Sequence, residues 1–211
     1  MMMLRLFLFE TLIGHRTAVW ILIRRHGLGE GLKIALLVFL RQLFANPFAR
    51  LREKPKTLQE KCSRRQLAPA LILYDVLVER GFSEAEARNE VRFLVKAVAM
   101  AFLKFSVPRV PNQALMPSDE KERLRLFKNT CGRFFNARGD IQLHGSQLSF
   151  YVDHCWFADY CRRLGYQRLA GIFCSADASY FESQQPNVVF ARSKTLANGD
   201  EYCDFVFQLK S

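Results

Sequence analysis

With 211 residues, half of them hydrophobic and 24% charged, the chain has material for one packed domain. It has neither the length for two catalytic domains nor the composition of a disordered or collagen-like segment. The formal charge is +11, and the excess lies at the start: residues 1–65 hold 13 basic and 4 acidic groups, whereas residues 141–211 hold 6 and 7. A nucleic-acid reader would carry its basic groups beside its recognition aromatics, and no helix-turn-helix, ribonucleoprotein or zinc-finger signature is present, so no nucleic-acid partner is expected.

Residues 1–50 form an apolar, basic leader. Arg5, Glu10, Arg16, Arg24, Lys33 and Arg41 interrupt it, so no stretch approaches the roughly 20 apolar residues of a spanning helix. Glu10, and the lack of a small-x-small site after it, argue against a cleaved signal peptide. The expected location is cytoplasmic, with peripheral attachment at the inner membrane face as the further option. Two helices fit, one ending near His26-Gly27 and one starting after Gly29-Glu30-Gly31 and stopping before Pro47. Leu36, Phe39, Leu40 and Leu43 spread the second helix's apolar surface most of the way round, so it needs cover on several sides. Either the pair packs on the domain or on a second subunit in a homodimer, or Arg24, Arg25, Arg50, Arg52, Lys54 and Lys56 draw it to anionic lipid.

The main domain is expected over residues 57–211. A helix from about Thr57 to Arg80 presents Leu67, Leu71, Tyr74 and Val78 at helical spacing, with Pro69 starting or kinking its main part and Gly81 ending it. Ser83 and Glu86 form a capping box for a helix running to about Phe105, whose apolar residues from Val91 to Phe105 read as core. Pro108, Pro111 and Pro117 mark an extended loop, after which Ser118 is the expected cap of a helix carrying Leu124, Phe127 and Phe134-Phe135.

Four of the six cysteines fall after residue 150, at 155, 161, 174 and 203. Without a signal peptide a disulfide framework is not expected, which leaves packing, metal binding or nucleophilic chemistry. No spacing matches a zinc knuckle, and Cys155 and Cys161 stand about 120° apart on a helix, so neither metal nor cofactor is expected. The surrounding pattern reads as a strand at Ile141–Leu143, a turn at His144-Gly145-Ser146 and a strand at Gln147–Val152. A helix capped by Asp153 follows, with Cys155 in its first turn, where amide groups favour a thiolate. Beyond Cys174 and Asp177 a loop through Pro186 leads to a terminal hairpin, Val188–Thr195 and Glu201–Leu209, turning at Asn198-Gly199. In its last strand Cys203, Phe205, Phe207 and Leu209 share one face, with Cys203 pointing inward.

The order Cys155, Leu164-Gly165, Phe173-Cys174-x-x-Asp177, Phe190-x-Arg192-x-x-Thr195-Leu196-x-x-Gly199-Asp200-x-x-Cys203-x-Phe205-x-Phe207 resembles the L-2-amino-thiazoline-4-carboxylic acid hydrolase family. Tyr74 and the corner Gly81-Phe82-Ser-Glu-Ala-Glu-Ala87 are similar too, so the likeness spans roughly Cys62 to Leu209. The Gly-Asp-x-x-Cys-x-Phe strand also ends four-vinyl-reductase-like and Golgi-transport ligand-binding domains. The resemblance implies an α+β fold, a helical layer on a small antiparallel sheet with an N-terminal helical extension. It also implies a hydrolase acting on a carbon–nitrogen bond of a small cyclic amidine, opening a thiazoline towards N-carbamoyl-cysteine. On the matching positions, Cys174 and Asp177 are the first candidates for nucleophile and proton carrier, Cys155 a rival nucleophile, Arg192 a substrate-carboxylate clamp, and His154 a further substrate contact. The alternative is a non-catalytic module that binds a small-molecule or lipid-like ligand, with the cysteines as packing residues.

Overall fold

The structure, a computed structural model, describes residues 2–116 and 119–210. Its first helical rod joins α1 (Met2–Phe9) to α2 (His15–His26) through a π-helical turn at Glu10–Gly14. Gly27, at φ +79°, breaks the rod, and α3 (Leu28–Phe44) folds back against α2. Between these two helices Gly31 permits a close backbone approach: a Cβ there would stand 2.6 Å from the backbone of Leu22 and Ile23.

The stretch Leu6–His26 is, by length and composition alone, long and apolar enough to cross a membrane. This corrects the expectation from the sequence, because only Glu10 and Arg16 are charged between Leu6 and Ile23. Within the fold, however, Glu10 pairs with Arg65 at 2.6 Å, and Leu6, Phe9 and Leu22 are buried against the domain.

Thr57 caps α4 (Leu58–Glu79), its side chain accepting from the Glu60 amide at 3.1 Å. The helix runs continuously through Pro69, which neither starts nor ends it. The capping box at Ser83 and Glu86 is present at the start of α5 (Glu84–Ser106). A short helix, α6 (Asn112–Leu115), precedes α7 (Glu120–Cys131). The expected cap Ser118 lies outside the described residues; Asp119 fills that role, accepting from the Lys121 and Glu122 amides. Phe134 and Phe135 lie beyond the end of α7, in the turn before the sheet, and both are buried.

The sheet has β1 (Ala137–His144), β2 (Gln147–Cys155), β3 (Val188–Ala191) and β4 (Cys203–Leu209) in the antiparallel order β1-β2-β4-β3. Val152 stands opposite Cys203 and Leu148 opposite Phe207. Strand β2 continues to Cys155, so Cys155 is the residue before α8 (Trp156–Arg163), not a member of its first turn. Asp153 is therefore a strand residue, exposed and paired with Arg138, and caps nothing. The expected loop after Asp177 is helix instead: α9 (Gln167–Gln184) carries Cys174 and Asp177 in its middle and packs on α5 and α8. The terminal hairpin forms with a shorter first strand, because Thr195 caps a single 3-10 turn at Leu196–Asn198 that ends at Gly199, φ +98°.

The architecture is α+β, a helical layer on a small antiparallel sheet with an N-terminal helical extension. One core joins α3, α4, α5, α8 and α9, including Ile34, Leu67, Leu71 and Val91; another joins α7, α9 and the sheet. In the second, Phe181 packs 4.9 Å from both Phe190 and Phe207, and Phe127 sits 4.9 Å from Phe207.

Candidate active site

Between the leader helices, α4, α5, α9 and the sheet lies a cavity of about 600 Å³. The helix α5 buries Val91 elsewhere in the core, and turns Leu94, Val95, Val98 and Ala99 towards this space, where all but Val95 stay only half-buried. From α9 the residues at i, i+3 and i+4, Phe173, Ala176 and Asp177, face the cavity together with Ala170 and Cys174. Val152 and Cys155 of β2 and Cys203 and Phe205 of β4 add the sheet wall.

Asp177 is enclosed by protein, and the 18% of its side-chain surface that remains accessible faces the cavity. Arg192, just after β3, pairs with it: Nη1 lies 3.4 Å from Asp177 Oδ2, and Nη2 donates to the Cys174 carbonyl at 3.2 Å. The guanidinium also sits 5.4 Å from the Phe205 ring. Loss of water around the carboxyl outweighs the attraction of Arg192, and the Asp177 pKa rises to about 7.

The loop that delivers Arg192 explains a motif seen in the sequence. Asp200 accepts from the Thr195 amide at 2.7 Å, and Asp204 accepts from the Ser193 and Lys194 amides at 2.9 and 2.6 Å. Gly199 supplies the left-handed turn that allows this. The Thr195-to-Asp204 pattern thus builds a brace for Arg192.

The structure brings Cys155, Cys174 and Cys203 to the cavity with Asp177. Burial pushes all three thiols up. Cys155 reaches about 11, although the Phe157 and Ala158 amides at the start of α8 favour its thiolate. Cys174 rises well above its ordinary value, chiefly through burial and further through the Asp177 charge. Cys203 is raised less, and accepts from the Leu196 amide at 3.3 Å. At neutral pH these are thiols, and a neutral thiol is a poor nucleophile.

Two expected substrate contacts stand elsewhere. Arg192 does not line the cavity, because its guanidinium is committed to Asp177 and the Cys174 carbonyl. His154 also lies outside the lining, its ring packed edge-on against Trp156 at 4.7 Å. The cation that does line the cavity is Arg133, with Asn136, in the turn before β1, whose first residue Ala137 stands opposite Cys155. Sequence reasoning missed Arg133 and treated Cys203 as packing only, since neither position carries a periodic signal that separates a cavity wall from a core. Among the described residues no group of three or more His, Cys, Asp or Glu side chains is arranged to hold a metal ion.

The family model described as L-2-amino-thiazoline-4-carboxylic acid hydrolase matches residues 63–207. The chain belongs to this family. No curated protein and no solved structure matches the chain. The matched hydrolase segment runs from α4 to β4 and takes in Cys155, Cys174, Asp177, Arg192 and Cys203; the leader lies outside it.

Proposed function

We propose that the chain hydrolyses an amidine-type carbon of a thiazoline-like ring at the Asp177 end of the cavity, with Asp177 as the proton carrier. The observation that carries this reading is a cavity-facing carboxyl held near neutrality by burial and braced by Arg192. A group of this kind exchanges protons in both directions near pH 7. In 2-amino-thiazoline-4-carboxylate the amidine carbon is bonded to the ring sulfur, the ring nitrogen and an exocyclic nitrogen. Ionised Asp177 takes a proton from water as its oxygen bonds to that carbon and the carbon–nitrogen double-bond pair moves to the ring nitrogen. The tetrahedral adduct then collapses: its hydroxyl proton passes to the ring nitrogen as the carbonyl forms, the carbon–sulfur bond breaks, and Asp177 returns its proton to the departing sulfur. The sum is one water added and one ring bond lost, giving N-carbamoyl-cysteine. Atom balance therefore places the cleavage at carbon–sulfur rather than at the carbon–nitrogen bond expected from the sequence, because both carbon–nitrogen bonds survive in that product. Arg133 is the cation positioned to hold the substrate carboxylate.

The test is incubation of the full-length protein with 2-amino-thiazoline-4-carboxylate, with mass spectrometry of the product and Asp177→Asn as the comparison. Loss of roughly a hundredfold or more in rate supports the assignment; equal turnover by both proteins refutes it. The thiols and the apolar walls favour a second reading, a non-catalytic ligand-binding module, and a bound ligand retained by Asp177→Asn without turnover in either protein would establish it.

A further inference from the structure

The leader does two things at once. Its inner side buries Leu22 and Ile34 in the core, and its outer side leaves a row of large apolar side chains in solvent: Leu28, Leu32, Leu36, Leu40 and Phe44 follow one another every four residues along α3. Phe44 is 85% exposed and Leu28 66%. Leu12 and Trp20 are exposed on the first rod, with Arg24 stacked on Trp20 at 4.7 Å from the ring. Monomeric soluble proteins seldom expose an apolar row of this extent without a partner for it.

Two further observations name the partner. Arg16, Arg24 and Lys33 are exposed beside these residues and make no ion pair among the described residues, within a segment of strong positive excess. Apolar side chains flanked by such cations, with a Trp among them, are the make-up of an interfacial helix on an anionic bilayer. Leu32, Leu36 and Phe39 belong both to the exposed surface and to the cavity wall, so the cavity reaches the outside through this same face. Its interior is walled mainly by Leu, Val, Ala and Phe, with Glu10, His15, Gln42 and Gln66 as the polar side chains that the leader and α4 add, and its volume lies within the range of sites that enclose a drug-sized ligand. That is far more room, and far less polarity, than a small zwitterionic acid requires.

We infer that the leader's apolar face rests on an anionic lipid bilayer and that the cavity admits from it an amphiphile with a single hydrocarbon chain, reacting head towards Asp177 and chain trailing to Leu36 and Phe39. This deepens the proposed hydrolysis by naming the class of its substrate, an amidine or thiazoline head on an apolar chain, and rests on that reading for the head alone.

The test uses the full-length protein in two measurements. In the first, co-sedimentation is measured with vesicles of phosphatidylcholine containing about one third phosphatidylglycerol. The protein binds, and Leu28→Glu/Phe44→Glu, neither of which lines the cavity, lowers binding by roughly a hundredfold while far-UV circular dichroism stays unchanged. In the second, a single-chain fluorescent fatty acid is titrated without vesicles. It binds, and Ala99→Phe, which fills the cavity, weakens it by about tenfold; Ala18→Phe, on the α2 part of the lining, gives the same readout if Ala99→Phe does not fold. Absence of vesicle binding, a stable dimer that covers the face, or a fatty-acid affinity indifferent to both filling substitutions overturns the inference. The probe has no thiazoline ring, so turnover of the ring acid without probe binding overturns this inference and leaves the hydrolysis standing. Probe binding without turnover does the reverse.

Discussion

Arg192 does not line the cavity but pairs with Asp177, which does, 3.4 Å from Nη1 to Oδ2, and the same guanidinium donates to the Cys174 carbonyl. It therefore acts through the carboxyl and is a positioning residue. Burial raises the Asp177 pKa and Arg192 lowers it, so removal of the cation moves it upward from about 7. If ionised Asp177 takes the proton from water, the acidic limb of the pH–rate profile for Arg192→Met shifts to higher pH by about a unit, and Arg192→Lys recovers part of the shift. A profile with an unmoved limb and only a reduced plateau would show that Arg192 merely supports the fold.

The same carboxyl sets a pH dependence of stability whose sign runs against the common carboxylate case. The folded pKa, about 7, lies above the ordinary 3.8, so between those values the folded chain binds more protons than the unfolded chain. Stability contributed by this group falls as pH rises from about 4 to 7, and the full cost stands above pH 7. Asp177→Asn removes the ionisation and is expected to stabilise the protein by roughly 2–4 kcal/mol at pH 8.5 and by about half of that or less at pH 5. Urea unfolding of both proteins at the two pH values measures it. A variant that is less stable at pH 8.5 would mean that the Arg192 attraction outweighs burial.

The thiols supply a chemical check on water as the attacking group. With Cys155 near pKa 11 and Cys174 higher, both remain protonated at pH 7.5. Native alkylation followed by mass spectrometry should leave Cys155, Cys174 and Cys203 unmodified over times that label them fully in urea. Cys174→Ser should keep turnover within about tenfold of the parent, whereas a covalent thiol mechanism predicts near-complete loss.

Much of this arrangement was legible in the residues before the fold was seen, and the failures have physical causes. Ser83 with Glu86, Thr57, and the glycines at 81, 145 and 199 mark helix ends and turns through local hydrogen bonds or positive φ, and local rules read them well. The ordered Cys155, Cys174, Asp177 and Cys203 were recognisable as one family pattern, and they converge on one cavity. The continuation of α9 to Gln184 was not legible, since Ser175, Ser179, Ser183 and two glutamines weaken its apolar pattern and tertiary contact with α5 sustains it. The end of β2 was misjudged because Asp153 looks like a helix cap, yet its side chain pairs across the sheet with Arg138. Least legible was the cavity itself. Val98 and Ala99 have the period of core residues, and only the fold shows that they face space.

The leader's role as a cavity wall rests on how closely α2 and α3 approach, and Gly31 governs that distance. A methyl group there would lie 2.6 Å from Ile23 N and Cα and from the Leu22 carbonyl oxygen, all backbone atoms that no rotamer change can clear. Gly31→Ala must therefore push the two helices apart and loosen Leu22 and Ile34 from the core, at a cost of about 1–3 kcal/mol. Gly29→Ala, two residues away on the same helix and open on its Cβ side, is the matched control, expected to be neutral or stabilising by up to about 1 kcal/mol. Hydrogen exchange localises the effect. Amides of α2 and α3 exchange faster in Gly31→Ala while those of β2 and β4 keep their protection, because the sheet core around Phe181 and Phe207 does not touch the leader. Identical exchange in the two variants would show that the close approach at Gly31 does not hold the leader in place.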